Sequence, residues 1–223
     1  MLGNIAELII GLLLLIWGAN RFVHGAGATA RNLGVAPLLI GLTIVAFATS
    51  APEILISIVA AFRGETDLAV GNAIGSNITN IGLVLGGVAL LKPIEITSSI
   101  LSQQMLVLLA VTLLTAFLFL DYYLSLGDGL VLLTSLLIVM VWLCRLGSRS
   151  STDDSITADY KAKIYHHASM RATVFWLIIG LATLLVGAEL MVDNALEIAR
   201  ALGVTELVIG IILIALATSL PEF

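Results

Sequence analysis

The chain has little charge, almost no cysteine and no long polar stretch. Only 11% of its 223 residues are charged, whereas 60% are hydrophobic. Soluble domains carry about a quarter charged residues, so an ordinary water-soluble domain is excluded. Cys144 is the single cysteine, which rules out an intrachain disulfide. It closes an apolar run and reads as a packing residue. A net charge of −5 without a basic cluster excludes a nucleic-acid partner. The longest polar stretch, about 147–171, is too short to fold alone. No Lys or Arg precedes the apolar segment Leu8–Trp17. Although Ala28-Thr29-Ala30 mimics a cleavage site, the segment therefore reads as a retained first helix, because a signal peptide has a positive start.

What is present is one apolar run after another. The expected crossings are about 5–22, 35–62, 68–91, 99–120, 128–146, 172–197 and 204–223, each near the roughly 20 residues that span a bilayer as a helix. The basic residues set the orientation. Arg145, Arg149, Lys161, Lys163 and Arg171 lie in or beside the 147–171 loop, which is expected in the cytoplasm by the positive-inside rule. Counting back places the N-terminus outside, with Arg21, Arg31 and Lys92 inside and only Arg63 and Arg200 outside.

The sequence also repeats itself. Residues 18–53 align without gaps to 187–222 at an offset of 169, with 18 of 36 positions identical. Arg31 matches Arg200, Gly34-Val35 matches Gly203-Val204, and Gly41 matches Gly210. The strongest block sets Ala46 to Glu53 (AFATSAPE) against Ala215 to Glu222 (ALATSLPE). An odd number of crossings separates the copies, so they run in opposite directions. Inverted repeats with proline-interrupted helices mark secondary transporters that bind substrate near the midplane. The expected organisation is 1–146 as a first five-helix repeat, 147–171 as a cytoplasmic linker, and 172–223 as the start of a second, inverted repeat. The segment after the first motif has no counterpart after the second. By repeat symmetry the chain is therefore expected to be a C-terminally truncated ten-helix protein lacking three crossings.

Glu53 and Glu222 carry the chemistry. A carboxylate at bilayer depth costs about 2.5–3.5 kcal/mol or more and is functional by default. No Lys or Arg is expected deep in any span, so a ligand cation is the expected partner. Pro52 and Pro221 lack an N–H and clash with the carbonyl four residues earlier, which points to free carbonyls at Ala48 and Ala217. Thr49 and Ser50 precede Glu53 by four and three residues and share its helix face. Thr218 and Ser219 do the same for Glu222. Hydroxyls, carboxylates and loosened carbonyls are the oxygen ligands that hard cations such as Ca²⁺ take. Asn72, Ser76 and Asn80, spaced i, i+4, i+8, offer neutral oxygens to the same cavity or, alternatively, interhelical hydrogen bonds. Gly71, Gly75, Gly82 and Gly86 read as close-packing positions.

At these motifs the sequence resembles the calcium/cation antiporter superfamily, and within it the bacterial sodium/calcium exchangers. Gly41 to Glu53 and Gly71 to Gly86 resemble its first signature repeat, and Gly210 to Glu222 the start of its second. The resemblance implies an all-α polytopic membrane protein with the inverted-repeat transporter fold: ten helices in two five-helix halves, about seven of them present here. It implies Na⁺ entry driving Ca²⁺ extrusion across the inner membrane, with no cofactor, no enzymatic activity and one chain as the transport unit. Glu53 and Glu222 would hold Ca²⁺ and also serve Na⁺. Thr49, Ser50, Thr218, Ser219, Ser76 and Asn80 would add oxygens, joined by the carbonyls of Ala46 and Ala215.

Rival readings remain. H⁺ or K⁺ coupling, a passive channel and a non-transporting fragment fit the same residues, and protons would compete for the shared carboxylates. A hydrolase using Ser50 or Ser219 is rejected, because no base lies at that depth. Glu189, Asp193 and Glu197 read as a solvated interfacial face. Asp153, Asp154 and Asp159 lack EF-hand spacing and read as a polar linker. His24, His166 and His167 read as surface residues.

Overall fold

The computed structural model describes residues 2–35, 40–92, 99–149 and 169–219. Their secondary structure is helical throughout: α1 (Leu2–Asn32), α2 (Ala46–Thr49), α3 (Ala51–Phe62), α4 (Thr66–Thr79), α5 (Gly86–Leu91), α6 (Ser99–Leu118), α7 (Leu126–Arg149), α8 (Met170–Leu202), α9 (Glu206–Ile209) and α10 (Ala215–Ser219). Three wider π-helical segments join them: Ile40–Val45 before α2, Asn80–Leu85 between α4 and α5, and Gly210–Ile214 between α9 and α10. The first and third occupy matching places in the repeat.

Four helical stretches are long and apolar enough to cross a bilayer: Leu2–Asn32, Thr66–Leu91, Leu126–Arg145 and Met170–Leu202. The pair Thr43–Thr49 and Ala51–Phe62, bent by 51°, makes a fifth if counted as one span. The shorter apolar helices Gln103–Leu118 and Glu206–Ser219 occupy the places of the two remaining expected crossings. Most of the 147–171 loop lies outside the described residues, but its ends are helical, since α7 runs to Arg149 and α8 begins at Met170.

Both long helices end where the repeat places Gly-Val. Gly34 has φ 82° and Gly203 φ 65°, the left-handed conformation that suits glycine at a helix C-terminus. The following amides close the cap in the same way: Val35 N–H donates to Ala30 O at 3.1 Å and Val204 N–H to Ala199 O at 3.1 Å. At its other end α8 is capped by Ser169, whose Oγ accepts from Ala172 N–H.

The first helix was expected to end near residue 22 but runs to Asn32. Glycines within it, which cost about 1 kcal/mol each in an exposed helix, lie instead against α8. A Cβ on Gly18 would stand 3.0 Å from Gly180 O, and one on Gly25 would stand 2.6 Å from Leu177 N. A Cβ on Gly11 would meet Gly187 O at 3.2 Å. As α1 rises from residue 11 to 25, its partners fall from 187 to 177, so the two helices are antiparallel. Gly11 and Gly18 are the repeat mates of Gly180 and Gly187. Each mate of one pair touches the opposite mate of the other, as a two-fold relation between the copies requires. Leu15, Ala19, Leu184, Ala188 and Met191 fill the seam and are almost completely buried. By contrast, the candidate span Leu126–Arg145 has none of its residues buried, so α7 forms an outer layer.

Of the four glycines expected to pack, two do. A Cβ on Gly71 would meet Leu207 O at 2.5 Å, and one on Gly75 would meet Ala215 Cβ at 2.6 Å. Gly82 has nothing within 4 Å, and Gly86 meets only Ile81 O at 3.8 Å. The small-xxx-small reading therefore fails for the last two, because α4 leaves its partner before reaching them. Gly82→Ala is accordingly expected to hold or raise the unfolding temperature in detergent, by a propensity gain of up to about 1 kcal/mol.

Candidate functional site

Pro52 lies in the first turn of α3 and breaks the second span at Ser50 (φ −82°, ψ 6°). The break puts Glu53 at the start of a helix instead of within one. Free N–H groups and the helix dipole there favour a carboxylate by about 0.3–1 kcal/mol. That is less than the depth cost of about 2.5–3.5 kcal/mol, so the helix end alone does not stabilise the charge. Both carboxylate oxygens of Glu53 are shielded from solvent.

Around the break the small oxygens are ordered. Thr49 Oγ1 donates to Ala46 O at 2.9 Å, and Ser50 Oγ donates to the same carbonyl at 3.4 Å. The second copy repeats the first bond: Thr218 Oγ1 donates to Ala215 O at 3.2 Å. A hydroxyl that donates inward keeps its lone pairs for an acceptor role outward. The Ala48 carbonyl, which the proline argument had freed, accepts the Ser50 N–H. The bend at Ser50 supplies that partner. In the second copy Pro221 and Glu222 lie outside the described residues.

α4 connects the two copies. Asn72 is fully buried, and its Nδ2 donates to Glu53 O and to Ser57 Oγ, each at 3.0 Å. One turn on, Ser76 Oγ donates to Asn72 O at 2.7 Å and lies 3.5 Å from Thr218 Oγ1. The glycine contacts of Gly71 and Gly75 with 207–215 are what allow this approach. Thr218 and Ser219 are buried. Among the described residues, the Ser219 hydroxyl and the Asn80 side-chain oxygen have no hydrogen-bond partner.

A cavity of about 740 Å³ opens beside these groups and is lined by Ser50, Glu53, Ser57, Ser76, Asn77 and Asn80 among others. The structure thus gathers Glu53, Ser50, Ser76 and Asn80 at one cavity, with Thr218 against Ser76. Thr49, Ala46, Ala215 and Ser219 are not among its lining residues, and Ala46 instead borders another cavity of about 740 Å³ with Gly41, Leu108 and Leu136. Asn72 does not line the cavity but fixes the Glu53 backbone. The sequence reading missed Ser57 and Asn77. Ser57 follows Glu53 by four residues and so shares its face, a signal that was available. Among the described residues no three His, Cys, Asp or Glu side chains converge, so any cation here would be held mainly by neutral oxygens.

Away from the cavity, Glu189, Asp193 and Glu197 are exposed, as a solvated face should be. Two of them also tie elements together. Asp193 pairs with Arg63 in the turn after α3, and Glu197 accepts from Asn4 Nδ2 at 3.0 Å. Arg200 lies 3.7 Å from Glu65. The expectation was that no Lys or Arg lies deep in any span. Arg21 lies inside the extended α1, but on its exposed side, away from Glu53.

A broken membrane helix, a second copy of its motif and a cavity lined by small oxygens define a multi-pass helical transporter. The sodium/calcium exchanger protein family model matches residues 4–145 and 172–223, and the chain belongs to that family. It is 44% identical to CaxA of Alkalimonas amylolytica, described as an antiporter, over 96% of this chain and 67% of that protein. It is 38% identical to the inner membrane protein YrbG of Escherichia coli over 100% of this chain and 69% of that protein. It is 30% identical to the sodium/calcium exchanger MaX1 of Methanosarcina acetivorans over 98% of this chain and 72% of that protein. In three dimensions it matches the sodium–calcium exchanger NCX_Mj with a TM-score of 0.61 at 38% identity, covering 99% of this chain and 70% of that one. The chain is therefore a membrane exchanger and not an enzyme.

Proposed function

We propose that this protein exchanges Na⁺ for Ca²⁺ across the inner membrane by alternating access at a carboxylate site near the bilayer midplane. Glu53 and Glu222 are its charged ligands. Thr49, Ser50, Thr218, Ser219, Ser76 and Asn80 supply hydroxyl and amide oxygens, joined by the Ala46 and Ala215 carbonyls. The observation that carries this reading is the cavity shared by Glu53, Ser50, Ser76 and Asn80, bordered by Thr218 of the inverted copy. Hard cations take six to eight oxygens, and a set drawn from both copies supplies that chemistry. The unsatisfied oxygens of Ser219 and Asn80 add support, since buried polar atoms without a partner call for an explanation such as an ion. One Ca²⁺ or several Na⁺ would occupy the shared oxygens, never a full set of both, and this competition makes transport an exchange. The antiparallel pair α1 and α8 would rock against the rest, one chain forming the unit.

The proposed topology keeps the N-terminus outside and the 147–171 loop in the cytoplasm. The two arginines that it leaves outside, Arg63 and Arg200, both lie beside carboxylates, which offsets their charge at the outer surface. In proteoliposomes loaded with Na⁺, uptake of ⁴⁵Ca²⁺ is expected and should collapse when internal Na⁺ is replaced by choline. Uptake that persists without any trans ion would mean a channel. Uptake restored by internal K⁺ or an outward proton gradient, and not by Na⁺, would replace the coupling ion.

A further inference from the structure

The exposed groups on α1 are not among the residues of the proposed transport site. Trp17, Asn20, Arg21 and His24 are exposed on one side of the helix, opposite Leu15, Gly18 and Ala19, which pack on α8. The Arg21 guanidinium lies 4.5 Å from the Trp176 ring centroid and 5.4 Å from that of Trp17. Those two rings meet edge to face at 6.3 Å, and Phe175 packs on Trp176 at 5.5 Å. Arg21 is thus held by aromatic rings from both long helices. Among the described residues the ion pairs are Arg63–Asp193 and Arg200–Glu65, so no carboxylate neutralises Arg21.

Helix geometry sets its depth. At 1.5 Å per residue, the 31 residues of α1 extend about 46 Å, well beyond a hydrocarbon core of about 30 Å. Arg21 contacts Trp176, which lies six residues, or about 9 Å along the axis, from Met170 at the start of α8, so a long basic side chain there can reach toward the headgroups. A groove of about 710 Å³ runs from there along α1, lined by Ile10, Leu13, Leu14, Trp17, Arg21 and His24. It is apolar toward residue 10 and cationic at Arg21. A cation–π contact uses none of the guanidinium's hydrogen-bonding directions to an acceptor oxygen, and its planar fork matches a phosphate.

We propose that Arg21, held beside the Trp17 and Trp176 rings, binds the phosphate of an anionic phospholipid whose acyl chain lies along Ile10, Leu13 and Leu14. The apolar continuation of the groove favours a lipid over free phosphate, which would have no use for it. In the proposed topology the site faces the cytoplasmic leaflet, where anionic lipids create the negative surface potential. The site does not depend on which ions the protein exchanges.

Tryptophan fluorescence tests this. The protein carrying Trp142→Phe, which leaves Trp17 and Trp176 as the indoles of this chain, is reconstituted into phosphatidylcholine vesicles. A small mole fraction of either brominated phosphatidylglycerol or brominated phosphatidylcholine is included. The brominated anionic lipid is expected to quench several-fold more than the zwitterionic one. Arg21→Gln should bring the ratio to about one, while quenching by brominated phosphatidylcholine stays at the parent level and reports correct insertion. In the parent protein alone, raising NaCl to about 1 M should lower the ratio, because salt screens an exposed charge pair. Equal quenching by the two lipids in the parent, an unchanged ratio in Arg21→Gln, or a ratio indifferent to salt would each overturn the proposal.

Discussion

Glu53→Gln is expected to reduce Na⁺-driven ⁴⁵Ca²⁺ uptake by at least about 100-fold, a loss equivalent to about 2.7 kcal/mol. The amide has the size of the carboxylate and keeps the local packing, so the variant isolates charge. At an effective dielectric of about 20, a divalent cation within bonding distance of a unit charge interacts by several kcal/mol. Screening by the remaining oxygens reduces this but leaves enough for the expected loss. The backbone should be undisturbed, because the Asn72 bond to this residue uses the Glu53 carbonyl and not its side chain. Glu197→Gln is the matched control: Glu197 is an exposed acid on α8 whose bond is to Asn4. It should change the rate less than about two-fold, since an exposed surface interaction contributes about 0–1 kcal/mol. If Glu53→Gln retains more than about a tenth of the parent flux, the proposed ligand set is wrong, whatever the family.

Gly180→Leu is expected to abolish folding, as read by the loss of a monodisperse peak in detergent gel filtration. A Cβ at this position would stand 2.5 Å from Phe22 N and 2.8 Å from Phe22 Cα. Backbone atoms cannot rotate away as a side-chain end can, so the helices must separate. Two effects oppose each other in the milder Gly180→Ala. Helix propensity favours alanine by up to about 1 kcal/mol, whereas overpacking costs about 1–3 kcal/mol. The net should be a lowered unfolding temperature, opposite in direction to Gly82→Ala, where the propensity gain meets open space. A Gly180→Ala variant as stable as the parent would show that α1 and α8 do not approach this closely.

The apolar helical runs, the repeat and the two motifs were legible because each is a local signal. Long apolar runs follow from bilayer thickness, and Thr-Ser-x-Pro-Glu in register at an offset of 169 needs no contact map. The bend at Ser50 was legible through Pro52, whose missing N–H acts within four residues. The repeat itself extended further than was read. Gly11 and Gly18 match Gly180 and Gly187 at the same offset, and carrying the alignment upstream of residue 18 would have exposed the seam between α1 and α8. The length of α1 was underestimated for the same reason: Gly25 and Gly27 look like helix terminators until Leu177 is seen against Gly25.

The sequence by itself determined a polytopic helical membrane protein with duplicated motifs around Glu53 and Glu222, because periodicity, composition and proline chemistry act over one or two turns, and those motifs carried the resemblance to the exchangers. Only the tertiary structure decided which oxygens meet. Ser50, Glu53, Ser76 and Asn80 share a cavity, and Ser76 lies beside Thr218, because Gly71 and Gly75 let α4 lie directly on the second copy. It also decided that Gly82 packs against nothing and that Arg21 lies on the exposed side of α1 beside two indoles. Those outcomes depend on distances between residues more than a hundred positions apart, and no local pattern encodes which faces of two helices will touch.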